Sequence, residues 1–233
     1  MKKLADYAAL SGPVCVVITL AGWLIAGLLP LPFGPDDQGE IVHFFLDDPG
    51  RVKAGFVIAS VGTALAMPLW AVVSFHLFRM NRRMPLLALV QAMIAVVTLV
   101  INFFPQLIFA LAAFRTDRDP GDIVLLNDLA WLLLFTGIVP FMVQNVVIGI
   151  AILRDPQQLF PRWVAWLNFF VAFSFIPDPL AYFFKTGPFA WNGIFVFWLA
   201  LTTYCLFIFV MCWACLRANR SLDDAPATAL QGA

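Results

Sequence analysis

Long apolar segments alternate with short polar ones along this 233-residue chain. Six of the apolar segments are long enough to cross a bilayer as helices, which takes about 20 residues each. Prolines and charged residues separate them, because proline cannot continue the helical hydrogen-bond ladder and charge is costly in lipid. The helices predicted from this pattern are approximately Gly12–Phe33, Ala54–Phe78, Pro85–Phe114, Ile123–Leu153, Trp163–Phe184 and Phe189–Leu216.

The pattern therefore predicts an all-α fold, a polytopic membrane bundle of six transmembrane helices in one domain over residues 1–216. Residues 217–233 are polar and small, so we expect a disordered cytoplasmic tail. The connection Asp36–Lys53 contains the short amphipathic run Ile41–Leu46, which we expect to lie along the membrane surface.

Two further features bear on the predicted helices. Prolines inside them predict a tilt or kink at Pro105, a kink at Pro140 and a break near Pro177 and Pro179. The basic N-terminus followed by an apolar run also fits a signal peptide. The run from Gly12 to Phe33 is too long for a signal segment and no A-x-A-like site follows, so we expect a retained first helix.

Composition supports a membrane location. Hydrophobic residues make up 62% of the chain and charged residues 12%, against about 45–50% and about 25% in soluble domains. The formal net charge is zero, which argues against nucleic acid as a partner. The sequence contains no Walker loop, dinucleotide fingerprint or G-x-S-x-G motif, so we expect no nucleotide cofactor and no serine-hydrolase chemistry.

Basic residues predict the orientation. With both termini inside, cytoplasmic segments hold nine Lys and Arg residues and the outer segments hold five. This excess favours an N-in, C-in topology in the cytoplasmic membrane. The inner set is Lys2, Lys3, Arg79, Arg82, Arg83, Arg154, Arg162, Arg217 and Arg220, and the outer set is Arg51, Lys53, Arg115, Arg118 and Lys185.

Polar residues inside the predicted helices converge at one depth, in the outer half of the bundle. Lipid cannot satisfy such groups, so they should face the bundle interior and line a pocket. The acids of this pocket would be Asp128 and Asp178. Its other candidate residues are the amides Asn102, Gln106, Asn127 and Asn192 and the aromatic residues Trp131, Phe135, Phe175, Tyr182 and Trp191.

The same polar residues also have structural interpretations. Asn and Gln in membrane helices join helices by hydrogen bonds worth about 0.6 kcal/mol each. Asp128 could cap the N-terminus of the fourth predicted helix, where a carboxylate is favourable. Asp178 could pair with Lys185 one or two turns further on. Both interpretations stay open at this point.

No motif predicts a metal site. Cys212-x-x-Cys215 has no second ligand pair, so we expect these cysteines to pack in the helix. Asp36-Asp37-Gln38-Gly39-Glu40 is superficially like the aspartate-rich motif of prenyl-diphosphate enzymes, but it lies in a loop and has no second copy. His43 and His76 are isolated, and we expect His76 to be interfacial.

Three stretches carry a resemblance to a known family. They are Leu125-Leu126-Asn127-Asp128-Leu129-Ala130-Trp131, Phe160-Pro161-Arg162-Trp163, and Phe184-Lys185-Thr186-Gly187-Pro188-Phe189-Ala190-Trp191-Asn192-Gly193. Together they resemble a family of six-span integral membrane proteins common in actinobacteria. The resemblance implies fold and location and transfers no catalytic residue. Small membrane-bound terpene cyclases are similar only by analogy, in size, aromatic richness and carboxylates inside the bundle.

Three functions are compatible with the sequence. One is a membrane enzyme that cyclises or isomerises an isoprenoid, with Asp128 as proton donor, Asp178 as its partner and aromatic rings stabilising the cation. The second is a non-catalytic carrier, binder or accessory subunit for a lipid or steroid-like molecule. The third is a scaffold whose polar residues only assemble helices. The expected partner is membrane lipid or a lipophilic small molecule, and the oligomeric state stays open.

Overall fold

The structure, a computed structural model, describes residues 2–81 and 85–222 of the chain. The described part is 78% helical and contains no strand. Its α-helices are α1 Lys2–Ala26, α2 Gln38–Leu46, α3 Pro49–Ala64, α4 Met67–Met80, α5 Leu86–Ala112, α6 Pro120–Thr136, α7 Val139–Leu153, α8 Arg162–Ser174 and α9 Leu199–Asn219. A 3₁₀ turn follows α8 at Asp178–Tyr182, a π turn precedes α9 at Ile194–Trp198, and a second 3₁₀ turn ends it at Arg220–Leu222.

Six helical stretches are long and apolar enough to cross a membrane, which confirms the predicted class, a multi-pass membrane protein. The stretches are Lys2–Ala26, Pro49–Met80, Leu86–Ala112, Pro120–Leu153, Arg162–Tyr182 and Ile194–Leu222. The first begins ten residues before the predicted Gly12 and ends at Ala26, ahead of Gly27 in the left-handed region. The last helix runs to Asn219, and residues 223–233 of the predicted tail lie outside the described residues.

Prolines divide two of the spans in the same way. α3 ends at Ala64, four residues before Pro68. α6 ends at Thr136, four residues before Pro140. Proline lacks the N–H that would bond to the carbonyl four residues back, and its ring crowds that carbonyl. The predicted kink at Pro140 is therefore confirmed as a break. Pro105, in contrast, lies inside the uninterrupted α5.

The fifth span breaks where predicted. α8 ends at Ser174, and Pro177 and Pro179 flank the start of the 3₁₀ turn. Because neither proline has an N–H, the backbone tightens to three-residue hydrogen bonds, from Ile176 N to the Phe173 carbonyl at 3.1 Å and from Asp178 N to the Phe175 carbonyl at 3.2 Å. This places an acid at the end of a broken transmembrane helix.

Glycines let α1 and α3 approach closely. A Cβ at Gly22 would lie 2.5 Å from the Ala59 backbone nitrogen, and one at Gly55 would lie 2.4 Å from the Ala26 nitrogen. Small residues at such contacts let transmembrane helices pack backbone to backbone. α1 also packs on α4 and α9, while α5 packs on α3, α4, α6 and α7.

The two ends of the bundle differ. At one, called here the terminal end, Asn219 Nδ2 donates to Asp6 Oδ1 at 2.8 Å and so joins the two terminal helices. At the other, the loop end, α2 packs against α6 and buries Ile41 and Phe45 completely. The predicted run 41–46 is thus helical, and its position at a membrane surface stays a prediction.

Candidate functional site

A cavity of about 80 Å³ lies between α1, α3, α5, the α6–α7 junction and the sixth span. One water needs about 10–15 Å³ in the same measure, so the cavity exceeds the needs of a single water several times over. Its lining is mostly apolar. The residues are Cys15, Val16, Thr19, Leu20, Trp23, Thr63, Asn102, Gln106, Leu134, Phe135, Ile138, Phe175, Phe197, Ala200, Leu201, Tyr204 and Cys205.

One wall of the cavity is polar and ordered by hydrogen bonds. Trp23 Nε1 donates to Gln106 Oε1 at 2.8 Å, which ties α1 to α5. Gln106 Nε2 donates to the Asn102 carbonyl at 3.4 Å, and Asn102 Nδ2 donates to the Thr98 carbonyl at 2.8 Å. These hydrogen bonds fix the side-chain amides of Asn102 and Gln106. Neither the Asn102 Oδ1 nor the hydroxyl of Tyr204, on α9, takes part in them.

No lining residue carries a formal charge. The polar groups of the cavity are amides, hydroxyls, thiols and one indole N–H. An ion entering such a site would lose its hydration without gaining a counter-charge, which is strongly unfavourable. The arrangement therefore suits neutral molecules with one or two hydrogen-bonding groups.

Stacked aromatic rings close the cavity towards the loop end. Phe135 and Phe197 line the cavity, and their ring centroids lie 5.7 and 5.9 Å from that of Trp131. Trp131 in turn stacks on Trp191, with centroids 4.5 Å apart and planes 8° from parallel. These four residues are called the aromatic stack below. Trp131 and Trp191 also belong to a second group of buried polar residues.

That second group contains Asp178 and Asn127, both completely buried. Neither carboxyl oxygen of Asp178 has a hydrogen-bond partner in the described part of the chain, and the same holds for Asn127 Oδ1. The indole N–H groups of Trp131 and Trp191 also lack an acceptor there. Buried polar atoms are normally paired, so this group requires an explanation.

Asp128 lies outside both groups. It is partly buried, it accepts a 3.4 Å hydrogen bond from Asn127 Nδ2, and Lys185 acts on it electrostatically. The interpretation of Asp128 as the helix cap is wrong, because α6 begins two turns earlier, at Pro120. Asp119 caps that helix by accepting from the Gly121 backbone N–H at 2.7 Å.

The structure brings together only part of the predicted site. Asn102, Gln106, Phe135 and Phe175 line the cavity, and Trp131 and Trp191 belong to the adjoining aromatic stack. Asn127, Asp128, Asp178, Tyr182 and Asn192 do not line it.

Two of the residues outside the cavity have clear reasons for lying there. Tyr182 is 59% exposed, because the 3₁₀ turn rotates it away from the buried face on which Asp178 and Ala181 lie. Asn192 lies against the loop that follows α1, with its Nδ2 2.9 Å from where a Cβ of Gly34 would stand.

α5 carries a stripe of four polar residues, Gln91, Thr98, Asn102 and Gln106, and part of this polar stripe serves helix packing, the role that the structural interpretation gives to such residues. Gln91 accepts a short hydrogen bond from Ser74 on α4, and Thr98 donates to Gln144 on α7 at 2.9 Å. Both glutamines are completely buried. The polar stripe therefore joins helices over its half nearer the terminal end and meets the cavity only at Asn102 and Gln106.

Sequence reasoning missed two groups. Trp23 and Tyr204 complete the cavity, but a lone aromatic residue in an apolar helix gives no signal of its own. At the terminal end His76 is completely buried in the bundle, where its Nε2 donates to Asn219 Oδ1 at 2.8 Å and Arg79 donates to its Nδ1 at 3.3 Å; its position at the membrane interface stays a prediction. The i, i+3 spacing of His76 and Arg79 was the available signal.

Comparisons with family models, with curated proteins and with solved structures found no match for this chain. The resemblance of its three stretches to a six-span actinobacterial family therefore stays a prediction.

Proposed function

We propose that this multi-pass membrane protein binds a neutral lipophilic molecule in the cavity between its helices. The observation that carries the proposal is the lining itself: an apolar enclosure, one ordered polar wall and no charged side chain. Ligand sites in proteins typically have this character, with mostly apolar walls and a few placed polar groups that fix orientation.

The polar wall indicates the chemistry of the ligand. Asn102 Oδ1 can accept a hydrogen bond from a hydroxyl group, and the Tyr204 hydroxyl can donate to a carbonyl. An isoprenoid or steroid-like alcohol or ketone has such a group at one end. A fatty-acid anion or a prenyl diphosphate would bring a charge that the lining does not balance.

The cavity accommodates one end of such a molecule. Leu20 on α1 and Leu201 on α9 line it and are partly exposed, so the rest of the ligand would pass between these helices towards the lipid. A ligand held in this way can enter from the bilayer without crossing water. This geometry favours a carrier, binder or accessory subunit.

Acid-initiated cyclisation or isomerisation is the second candidate. The aromatic faces of Phe135 and Phe197 at the cavity favour it, because they would stabilise a cationic intermediate. Neither Asp128 nor Asp178 lines the cavity, so this reaction requires the substrate to reach a carboxyl that lies outside the cavity. Turnover that survives in Asp178→Asn would remove this candidate.

The cytoplasmic membrane, with the terminal end inside, is the location we propose. Arg154, Arg162, Arg217 and Arg220 are all exposed at that end. A cytoplasmic excess of Lys and Arg sets the orientation of membrane proteins. Accessibility of a cysteine-reactive label at Ser221→Cys, compared between intact cells and inverted vesicles, tests this orientation.

The proposed function is tested by mass spectrometry of lipid that co-purifies after mild extraction. We expect a neutral isoprenoid or steroid-like molecule enriched over the bulk membrane lipids. Ala200→Leu places three extra carbons in the cavity and should remove it. Ala92→Leu, which adds the same group to the lipid-facing groove between α4 and α5, is the matched control and should retain it. The same lipid profile in all three proteins would contradict the proposal.

A further inference from the structure

The break in the fifth span puts a single acid in an apolar interior. Asp178 is completely buried, and no basic side chain in the described residues forms an ion pair with it. Lys185, the basic residue nearest in sequence, is exposed and acts on Asp128. An ionised carboxylate in this position needs a positive charge beside it.

Asp178 lies on the buried face of the 3₁₀ turn. Asp178 and Ala181 are three residues apart on a 3₁₀ turn, so they share one face, and both are buried. The turn packs against α6, whose completely buried face carries Asn127 and Trp131 one helical turn apart. Asp178 and Asn127 thus lie on two elements that pack together, and none of the three buried oxygens, two from Asp178 and one from Asn127, has a donor within the described residues.

The break itself adds negative potential. The Phe175 carbonyl accepts one three-residue bond, from Asp178 N, and retains a second lone pair, because the residue four positions further on is Pro179, which has no N–H. The C-terminus of α8 also carries the partial negative charge of the helix dipole. Broken transmembrane helices use such ends and carbonyls to coordinate cations.

We propose that this break is a binding site for a monovalent cation, an alkali ion or the ammonium group of a small amine, held by the Asp178 carboxylate and the Asn127 amide oxygen. A single carboxylate balances one positive charge. No group of three His, Cys, Asp or Glu side chains that could hold a multivalent metal occurs in the described residues. A water or hydroxyl bound with the cation would accept hydrogen bonds from the indoles of Trp131 and Trp191.

The site does not depend on the ligand proposed for the cavity, because neither Asp178 nor Asn127 lines the cavity. It is tested with the full chain in lipid nanodiscs by thermal unfolding at constant ionic strength. NaCl, KCl and methylammonium chloride are compared with choline chloride, whose cation is too bulky for the site. We expect a saturable rise in Tm with an alkali ion or with methylammonium. The salt that raises the Tm shows whether the site binds an alkali ion or the ammonium group of an amine.

Variants make the test specific. Asp178→Asn should lose the rise, whereas Asp128→Asn, at a partly exposed carboxyl on α6, should keep it. Asn127→Ala should raise the half-saturating concentration by at least about 10-fold, because even the loss of a group that only supports a ligand costs about 10–100-fold in metal affinity. If Asp178→Asn does not fold, Asn127→Ala still tests the site. An equal response to all four salts, or a rise that survives in Asp178→Asn, would overturn the site, as would a Tm that responds to pH alone.

Discussion

The close contact between α1 and α3 makes Gly55→Ala a sharp test of the fold. The new Cβ would lie 2.4 Å from the Ala26 nitrogen, 2.5 Å from the Gly22 carbonyl oxygen and 2.6 Å from the Ala26 Cβ. Ordinary contacts begin at 3.4 Å, so the two helices would have to separate by about 1 Å at this point, since the crowding atoms belong to the opposing helix itself and cannot rotate away.

The size of the effect follows from two opposing contributions. Overpacking a well-packed contact costs about 1–3 kcal/mol, and the rigid contact at Gly55 places it at the upper end of that range. Alanine favours a helix over glycine by about 1 kcal/mol, which offsets part of that cost. We therefore expect Gly55→Ala to lower the free energy of unfolding by about 2 kcal/mol.

Gly39→Ala is the matched control. A Cβ there meets no atom within 4 Å, and Gly39 is exposed in the first turn of α2. The same substitution should therefore be neutral or stabilising by at most about 1 kcal/mol. Both variants can be compared by reversible unfolding in mixed detergent micelles, followed by circular dichroism. Equal stability of the two variants would refute the close α1–α3 packing.

Two other substitutions test local structure by the same unfolding assay. Asn219→Leu should lower stability by about 1–3 kcal/mol, because His76 would keep a buried N–H without an acceptor and Asp6 would lose its donor; an unchanged stability would contradict the buried network. Asp119→Ala should cost about 1 kcal/mol through loss of the α6 cap, and Asp128→Ala clearly less. The reverse order would show that Asp128 is the cap after all.

The fold was largely predictable because lipid cannot hydrogen-bond the backbone, so a segment that crosses the membrane has to satisfy its own N–H and C=O groups. An apolar stretch of sufficient length between polar breaks has to be a helix in lipid, and all six were found this way. The start of α1 was missed because its first turns carry Lys3 and Asp6, which composition assigns to a loop. Asp6 is instead held in the bundle by Asn219.

The site was less predictable. The depth of a residue along its helix and its angle around the helix follow from the sequence, but they do not determine how each helix is rotated in the bundle or which helices pack together. Asn102 and Gln106 were placed correctly at a polar wall, since one continuous helix carries both. Tyr182 and Asp178 are four residues apart and would share one face of an α-helix, but the 3₁₀ turn separates them. Trp23 and Tyr204 come from opposite ends of the chain, and only the packing of α1 against α9 brings them to one cavity.

Photocrosslinking from the cavity tests the central claim most directly. Replacing Tyr204 with p-benzoylphenylalanine places the reactive group in the cavity, and replacing the exposed Trp213 places it towards lipid on the same helix. After irradiation in native membranes, mass spectrometry identifies the molecule attached at each position. The account predicts a neutral isoprenoid or steroid-like adduct at position 204 and bulk phospholipid at position 213. Phospholipid at both positions would contradict it.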